Sequence, residues 1–201
     1  ITVLNKTSLL SASSLASFTP TFSVANKKTM MGFDTKIDFS VGTKPVSEAI
    51  GDLDGDGKLD IAVLNNNNNT VSVLRNIGSN ESINFATKVD FATGSNPQSV
   101  TMGDFDGDGK FDLLVTNMWD NTVSIYLNTS TTGNINFASR INYSSDVYPA
   151  YAAIGDFDND GKVDFVNLYT NQFDENNRPT SNDNSQILSV LSSKGVLNFP
   201  V

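Results

Sequence analysis

A nine-residue acidic segment occurs three times in this chain, at a constant spacing of 52 residues. The middle copy reads Asp-Phe-Asp-Gly-Asp-Gly-Lys-Phe-Asp over residues 104–112, and the other two copies span 52–60 and 156–164. Every copy has aspartate at positions 1, 3, 5 and 9, glycine at position 6 and lysine at position 7. A period of about 50 residues is typical of propellers, solenoids and other arrays of similar units. The spacing therefore predicts a repeat architecture.

The acidic segments have the ligand chemistry of calcium sites. Ca²⁺ binds six to eight oxygen atoms at about 2.3–2.6 Å, and closely spaced aspartates in a turn supply them. Without a cation, four carboxylates so close together would repel one another. An EF-hand would need a bidentate glutamate at position 12, where this chain has Val63, Val115 and Asn167. Ordinary Asp-Gly turns could explain one copy, but three copies in fixed register favour metal binding.

We predict three Ca²⁺ sites, each formed by four aspartate side chains and by the main-chain carbonyl of the lysine, whose side chain is expected to point to water. The ligands are Asp52, Asp54, Asp56, Lys58 and Asp60 in the first loop, Asp104, Asp106, Asp108, Lys110 and Asp112 in the second, and Asp156, Asp158, Asp160, Lys162 and Asp164 in the third.

Composition narrows the classes of function. The net charge is −9, but twelve of the 22 acidic residues lie in the three loops, and the rest of the chain has a small basic excess. Nothing is basic enough for nucleic acid binding, and no apolar run reaches the ~18 residues of a membrane span. Cysteine and histidine are absent, which removes disulfides and the usual zinc ligands. Because the chain starts at Ile1 without a methionine or leader, we expect a portion of a longer product.

Four short strands are predicted in each repeat unit, and helical periodicity is absent. In the middle unit the strands A to D are expected at 99–105, 112–116, 122–127 and 136–143, with the metal loop between A and B. The sequence Phe-Asp-Thr-Lys-Ile-Asp-Phe at 33–39 recurs in similar form at 85–91 and 137–143. We therefore predict an all-β fold, a β-propeller built from four-stranded antiparallel blades of about 52 residues. Residues 1–32 are expected to be an irregular segment with a strand of a preceding blade, and 33–201 to hold the repeats.

The Gly-Asp-x-Asp-x-Asp-Gly-x-x-Asp loop, followed by Thr-Val-Ser-Val and Asn-Phe segments, resembles the FG-GAP/VCBS repeat family, which includes the propeller of integrin α-subunits. The resemblance covers about residues 33–201 and implies calcium-binding aspartates in each loop. It also implies an extracellular, secreted protein. Two departures are a polar insertion at 171–186 and the presence of three loops where the family usually closes six to eight blades. We therefore expect an incomplete or shared propeller.

The turns opposite the metal loops are predicted to carry recognition, because loops on a rigid scaffold often do. The candidate ligand-binding residues are Trp119, Asp120, Asn121 and Tyr148. Trp119, the only tryptophan, could stack on a sugar or anchor a protein, or it could cap its own blade. The asparagine run 65–69 could bind a glycan or form an ordinary flexible loop. Asn-x-Ser/Thr sequons occur at about the chance frequency and permit glycosylation without arguing for it; they lie at Asn5, Asn68, Asn80, Asn128 and Asn142.

Three classes of function are compatible with this sequence. The first is a secreted, calcium-stabilised interaction module for adhesion, with a glycan, a protein or copies of itself as partner. The second is a structural protomer of an extracellular fibre or surface layer, and the third is an ancillary domain of a polysaccharide-active enzyme. An enzymatic activity of the chain itself is not expected, because its scattered polar candidates do not form a recognisable catalytic set; these are Asp120, Asp146, Tyr148, Glu175 and Arg178.

Overall fold

A computed structural model describes residues 35–79, 82–145, 148–169 and 188–191. The chain divides into two compact units, residues 1–38 and 39–201. In the first unit, residues 35–38 have no regular secondary structure, and Lys36 Nζ forms an ion pair of 2.5 Å with Asp38. The strand expected near the N-terminus, the irregular segment 1–32 and the insertion 171–186 lie outside the described residues.

The second unit consists of β-strands arranged in three antiparallel sheets. Sheet 1 has the order β1-β2-β3-β4, sheet 2 the order β5-β6-β7-β8, and sheet 3 the order β11-β10-β9. The strands are β1 (Pro45–Gly51), β2 (Asp60–Asn65), β3 (Thr70–Leu74), β4 (Val89–Ala92), β5 (Pro97–Gly103), β6 (Asp112–Asn117), β7 (Thr122–Tyr126), β8 (Ile141–Ser144), β9 (Pro149–Gly155), β10 (Asp164–Tyr169) and β11 (Leu188–Leu191).

The predicted all-β fold with four-stranded antiparallel units is confirmed, and no helix occurs in the part of the chain described above. No membrane-crossing helix is found there either. The predicted strand bounds are partly wrong. Strand A of the middle unit starts two residues earlier, and strand D begins at Ile141 instead of 136. Strand D starts later because residues 131–134 form a tight turn and Phe137 pairs with Asn128 in an isolated bridge. The chain therefore enters the sheet only at Ile141.

The hydrophobic core lies between the sheets, because alternate residues of a strand face opposite sides. One cluster joins sheets 1 and 2, where Leu64 and Val73 pack with Leu113 and Val115. A second cluster lies on the other side of sheet 2, where Leu114, Val123 and Ile125 pack with Phe165 of sheet 3. Every residue of β6 is buried, as expected for a strand covered on both faces.

A glycine at the end of the first strand of a sheet lets the next sheet approach closely. A Cβ on Gly51 would lie 2.8 Å from Met102 Sδ and 3.0 Å from the Phe111 ring. A Cβ on Gly103 would lie 2.6 Å from Ile154 Cδ1 and 3.4 Å from Val163. In both cases the glycine is covered by side chains from the same two repeat positions of the next sheet. The contact between neighbouring sheets is therefore repeated along with the sequence.

The loops separate into two layers at opposite ends of the strands, as predicted. The acidic loops between the first and second strands lie at one end, and the 131–134 turn of sheet 2 contacts the first of them through Gly133 and Asp54. At the other end, the turn between β6 and β7 is bonded to the connection between β4 and β5, with Met118 N donating to Asn96 O at 3.1 Å.

Candidate functional site

Each acidic loop is shaped by the carboxylate of its first aspartate. Asp52 Oδ1 accepts a hydrogen bond from Gly55 N at 2.8 Å, and its Oδ2 accepts one from Gly57 N at 2.8 Å. Asp104 makes the equivalent bonds to Gly107 and Gly109, at 2.7 and 2.9 Å. The glycine at position 6 has a φ of 83° in the first loop and 86° in the second, a conformation that side chains disfavour. The nine-residue sequence therefore closes its own turn.

The turn brings three carboxylates of each loop together, with one oxygen of each lying within 4.8 Å of the others. Oxygens at this separation can share one Ca²⁺, since two ligands on opposite sides of the ion are nearly twice 2.3–2.6 Å apart. The all-oxygen donor set also fits a hard cation. The groups are Asp52, Asp54 and Asp60 in the first loop, Asp104, Asp106 and Asp108 in the second, and Asp156, Asp158 and Asp164 in the third. The remaining predicted aspartates, Asp56, Asp112 and Asp160, lie in the same loops.

The aspartate at position 9 has a structural role that the sequence analysis missed. Asp112 is fully buried, and its two oxygens accept hydrogen bonds from Phe105 N at 2.8 Å and Asn128 N at 2.7 Å. Asp60 accepts equivalent bonds from Leu53 N and Asn76 N, at 2.9 and 2.8 Å. This carboxylate therefore joins the acidic loop to the segment that follows the third strand.

Burial raises the pKa of Asp60, and it raises the pKa of Asp112 to about 6, although the backbone N–H donors act in the opposite direction. The neighbouring carboxylates of Asp106 and Asp108 raise the pKa of Asp112 further. A divalent cation beside these groups would favour their charged forms and oppose that shift. The crowded carboxylates of each loop are therefore groups that could hold a cation.

The lysine side chains are exposed to solvent, as predicted, and each ammonium group also lies near an aspartate of its own loop. Lys58 Nζ lies 3.7 Å from Asp56, Lys110 Nζ lies 3.6 Å from Asp108, and the pair in the third loop, Lys162 and Asp160, is 3.4 Å apart. The lysine N–H also donates to Oδ1 of the same aspartate, at 2.9 Å for Lys58. Lysine and the aspartate two residues before it therefore form a local ion pair, and the proposed carbonyl ligand remains a prediction.

The first acidic loop has an additional cover from sheet 2. Asp54 is only 4% exposed, and its Oδ2 accepts a hydrogen bond from Gly133 N at 2.7 Å and lies 3.9 Å from Arg75 Nη1. The buried Asn128 amide donates to Leu53 O at 2.9 Å and to Phe111 O at 2.8 Å. Asn128 thus bridges the first two acidic loops, which its place in a sequon did not indicate.

At the opposite end of the strands, the predicted ligand-binding residues divide into two groups. Asp120 Oδ2 accepts a hydrogen bond from Ser95 N at 2.7 Å, which lowers its pKa, and Asn121 Oδ1 accepts one from Tyr148 N at 2.9 Å. These side chains fix neighbouring turns to each other. Trp119, in contrast, is 70% exposed. The structure therefore brings Asn121 and Tyr148 together and leaves the indole accessible.

A polar cavity of about 400 Å³ lies at the same end of sheet 1 and was not expected from the sequence. Its lining includes Thr43, Asn68, Lys88 and Asp90. Lys88 and Asp90 form an ion pair, and Asp90 also accepts a hydrogen bond from Ser72 Oγ at 2.6 Å. The cavity combines hydroxyl, amide and charged groups, which suits a ligand rich in hydrogen-bonding groups.

Comparison with curated proteins gave no match. A family model described as FG-GAP-like repeat matches residues 52–115 and 104–166, so its two matches together cover more than half of the chain. Both matches begin at the first aspartate of an acidic loop, and they overlap across the second loop. The chain therefore belongs to the FG-GAP-like repeat family.

Proposed function

We propose that this protein is a calcium-stabilised, extracellular interaction module that binds a glycan or a protein through the loops opposite its acidic loops. The observation that carries the proposal is the convergence of three carboxylates in each of three equivalent loops. FG-GAP-like repeats support an interaction module of the β-propeller type, and such repeats are typical of extracellular proteins. The assignment of calcium rests on the chemistry of the acidic loops, and the assignment of a glycan or protein ligand rests on the chemistry of the loops at the opposite end of the strands.

Calcium acts on the scaffold in this proposal. Bound Ca²⁺ would neutralise the clustered carboxylates and connect the ends of the first and second strands of each sheet. The chain supplies oxygens from positions 1 and 3 of every loop and a third carboxylate from position 5 or 9. A ligand that binds only the folded state raises stability, and the stiffened sheets would hold the opposite loops in place.

The ligand would be recognised at the opposite end of the strands. An exposed indole such as Trp119 can stack on the apolar face of a sugar ring or anchor a protein partner. A cavity lined by Asn68, Lys88 and Asp90 is large enough for a small saccharide. We favour a glycan because these groups offer both donors and acceptors, and a protein partner is the alternative. No catalytic role is proposed for the chain.

Two other functions remain candidates. A protomer of an extracellular fibre or surface layer is a candidate because several large apolar side chains are exposed, among them Ile50, Leu59 and Tyr151. An ancillary domain of a polysaccharide-active enzyme is compatible with glycan binding but requires a further catalytic domain.

A glycan array probed with the purified chain, in millimolar Ca²⁺ and then in chelator, tests the proposal. We expect binding in Ca²⁺, at least tenfold weaker binding of Trp119→Ala, and unchanged binding of Phe157→Ala, which removes a comparably accessible aromatic ring from the acidic-loop end. Binding that is equally strong in chelator would refute the calcium part. A chain that binds Ca²⁺ but neither glycans nor a protein captured through Trp119 would refute the recognition part.

A further inference from the structure

Residues 128–137 of sheet 2 form a small hairpin beside the acidic loops, which we call the bridging hairpin. An isolated bridge joins its two ends, and a tight turn at 131–134 forms its tip. In its middle, Ser130 Oγ accepts a hydrogen bond from Asn136 N at 2.9 Å and donates one to Asn136 O at 3.1 Å. These bonds close the hairpin on itself, so we expect it to move as one body.

Asn128, at the start of the bridging hairpin, is bonded to two acidic loops at once. Its buried amide donates to Leu53 O of the first loop at 2.9 Å and to Phe111 O of the second loop at 2.8 Å. Its backbone N–H donates to Asp112 Oδ1 at 2.7 Å, and its Oδ1 accepts a hydrogen bond from Ser130 N at 2.8 Å. Both amide hydrogens are therefore used, and Asn128 cannot turn away from one loop without losing its bond to the other.

The tip of the bridging hairpin holds a second group of the first loop. Gly133 N donates to Oδ2 of the buried Asp54 at 2.7 Å. Gly133 has a φ of 87°, which a side chain would disfavour. Asp54 is one of the three carboxylates that converge in the first loop. The bridging hairpin thus holds a carboxylate of the first loop with its tip and a carboxylate of the second loop, Asp112, with its base.

We propose that the bridging hairpin couples calcium binding at the first and second acidic loops, so that an ion in one loop raises the affinity of the other loop for Ca²⁺. This inference rests on the calcium sites of the proposed function and adds a regulation of those sites. A cation would fix the carboxylates that bind it, and two of these, Asp54 and Asp112, also hold the hairpin in place. An ion that binds better when the hairpin is held against the loops favours that arrangement, which then favours the other ion.

The sign of the coupling follows from the position of the two carbonyl groups that Asn128 holds. Leu53 and Phe111 each stand between two predicted ligands of their own loop. An ion that orders one loop therefore also orders one side of the bridge, and the entropy lost in ordering the bridging hairpin falls on the first ion alone. Repulsion between the two cations opposes this effect, but the carboxylates of each loop neutralise the charge of their own ion.

Sheet 1 contains a natural control, because Asn76 is the repeat equivalent of Asn128. Asn76 N donates to Asp60 Oδ1 at 2.8 Å, and its amide donates to Leu59 O at 3.0 Å. Its Oδ1 accepts a hydrogen bond from Gly78 N at 2.8 Å. Within the described part of the chain, Asn76 has no bond to a second acidic loop. It therefore has the local bonds of Asn128 without the bond between loops.

An NMR titration of the purified chain with Ca²⁺ tests the proposal, with the amide signals of Gly57 and Gly109 as separate reporters of the two loops. We expect both signals to follow curves steeper than a simple hyperbola, with an affinity gain of about fivefold or more in each loop once the other is filled. Asn128→Ala should make both curves hyperbolic, because each loop then binds alone. Asn76→Ala, the matched control, should keep the steep curves even if the first loop binds more weakly.

Asp108→Ala gives a second test that does not require the Asn128 variant to fold. Asp108 is exposed and bonds to Lys110 within its own loop. Its loss should weaken Ca²⁺ binding at Gly109 and also raise the Ca²⁺ concentration that half-saturates Gly57, by up to the coupling factor. A Gly57 curve with an unchanged midpoint would overturn the coupling.

The titration separates failure of the coupling from failure of the calcium sites. Hyperbolic and independent curves at Gly57 and Gly109 in the unmodified chain would overturn the coupling and leave the calcium sites intact. Equally steep curves in a folded Asn128→Ala variant would overturn the role of the bridging hairpin. If neither glycine responds to Ca²⁺, the proposed calcium sites are refuted, and the coupling is refuted with them.

Discussion

The first and the middle acidic loops have nearly the same sequence but different surroundings. In the first loop, position 3 (Asp54) is buried, bonded to Gly133 of the next sheet and close to Arg75. In the middle loop, position 3 (Asp106) is exposed. Both loops have the same hydrogen bonds to the carboxylates of positions 1 and 9. The comparison shows that hydrogen bonds within and next to a loop determine its conformation, whereas the additional contact that buries position 3 comes from another sheet.

This difference suggests that the two loops depend on calcium to different extents. In the first loop a guanidinium and a backbone N–H already compensate part of the carboxylate charge. In the middle loop the charge at position 3 faces solvent. Four experiments test this reading, from the largest expected effect to the smallest.

Removing calcium should have the largest effect. Occupied sites stabilise the folded state by about 2.7 kcal/mol each at a ligand concentration of 100 Kd, so a chelator should lower the melting temperature and millimolar Ca²⁺ should restore it. Mg²⁺ should restore it poorly, because it releases its waters reluctantly. Hydrogen exchange should show faster exchange in chelator at 104–112 than at 52–60. Equal exchange in both loops would contradict the comparison, and identical melting curves would contradict calcium binding itself.

Substitution of the aspartate at position 9 should destabilise the protein equally in the first and the middle loop. Asp60→Asn and Asp112→Asn each place an amide group opposite a backbone N–H donor and leave a buried donor unpaired, at a cost of about 1–3 kcal/mol. Urea unfolding in chelator measures this loss without the contribution of the ion. Losses that differ by more than the error between the two variants would show that the position-9 bonds are not equivalent.

Substitution of the aspartate at position 3 should destabilise the protein more in the first loop than in the middle loop. In chelator, Asp54→Ala should cost about 1–2 kcal/mol, since it leaves Gly133 N and Arg75 without their partner. Asp106→Ala removes an exposed side chain and should change stability by less than about 0.5 kcal/mol. Comparing the free energies of unfolding of the two variants tests this difference. An equal loss at both positions would mean that the cover of the first loop contributes no stability.

The lysine substitutions should have the smallest effect. Lys58→Ala and Lys110→Ala remove an ion pair whose lysine is exposed. Such a pair contributes about 0–1 kcal/mol, and the main-chain carbonyl stays in place. Calcium affinity, measured by isothermal titration, should therefore change little, whereas Asp108→Ala should weaken binding at the middle loop. A lysine variant that loses as much calcium affinity as the aspartate variant would contradict the proposed ligand set.

The contacts that sequence analysis missed share one property. Asn128 bonds to Leu53, 75 residues away in sequence, and Gly133 bonds to Asp54 from 79 residues away. The cavity formed by Asn68, Lys88 and Asp90 also joins different turns and strands. No local sequence pattern predicts such contacts, because they form only when two segments that are distant in sequence pack together.

The sequence by itself determined the repeat period, the all-β class, the antiparallel four-stranded units and the clustering of aspartates within each loop. These features depend on residues at most a few positions apart, and glycine and aspartate at fixed spacing suffice to close the turn. Only the tertiary structure decided which loop is covered and which sheet faces are buried. Burial depends on the neighbouring sheet, so Ile50 is exposed although its repeat equivalent, Met102, is partly buried against the core. Identical local patterns therefore acquire different roles according to what packs against them.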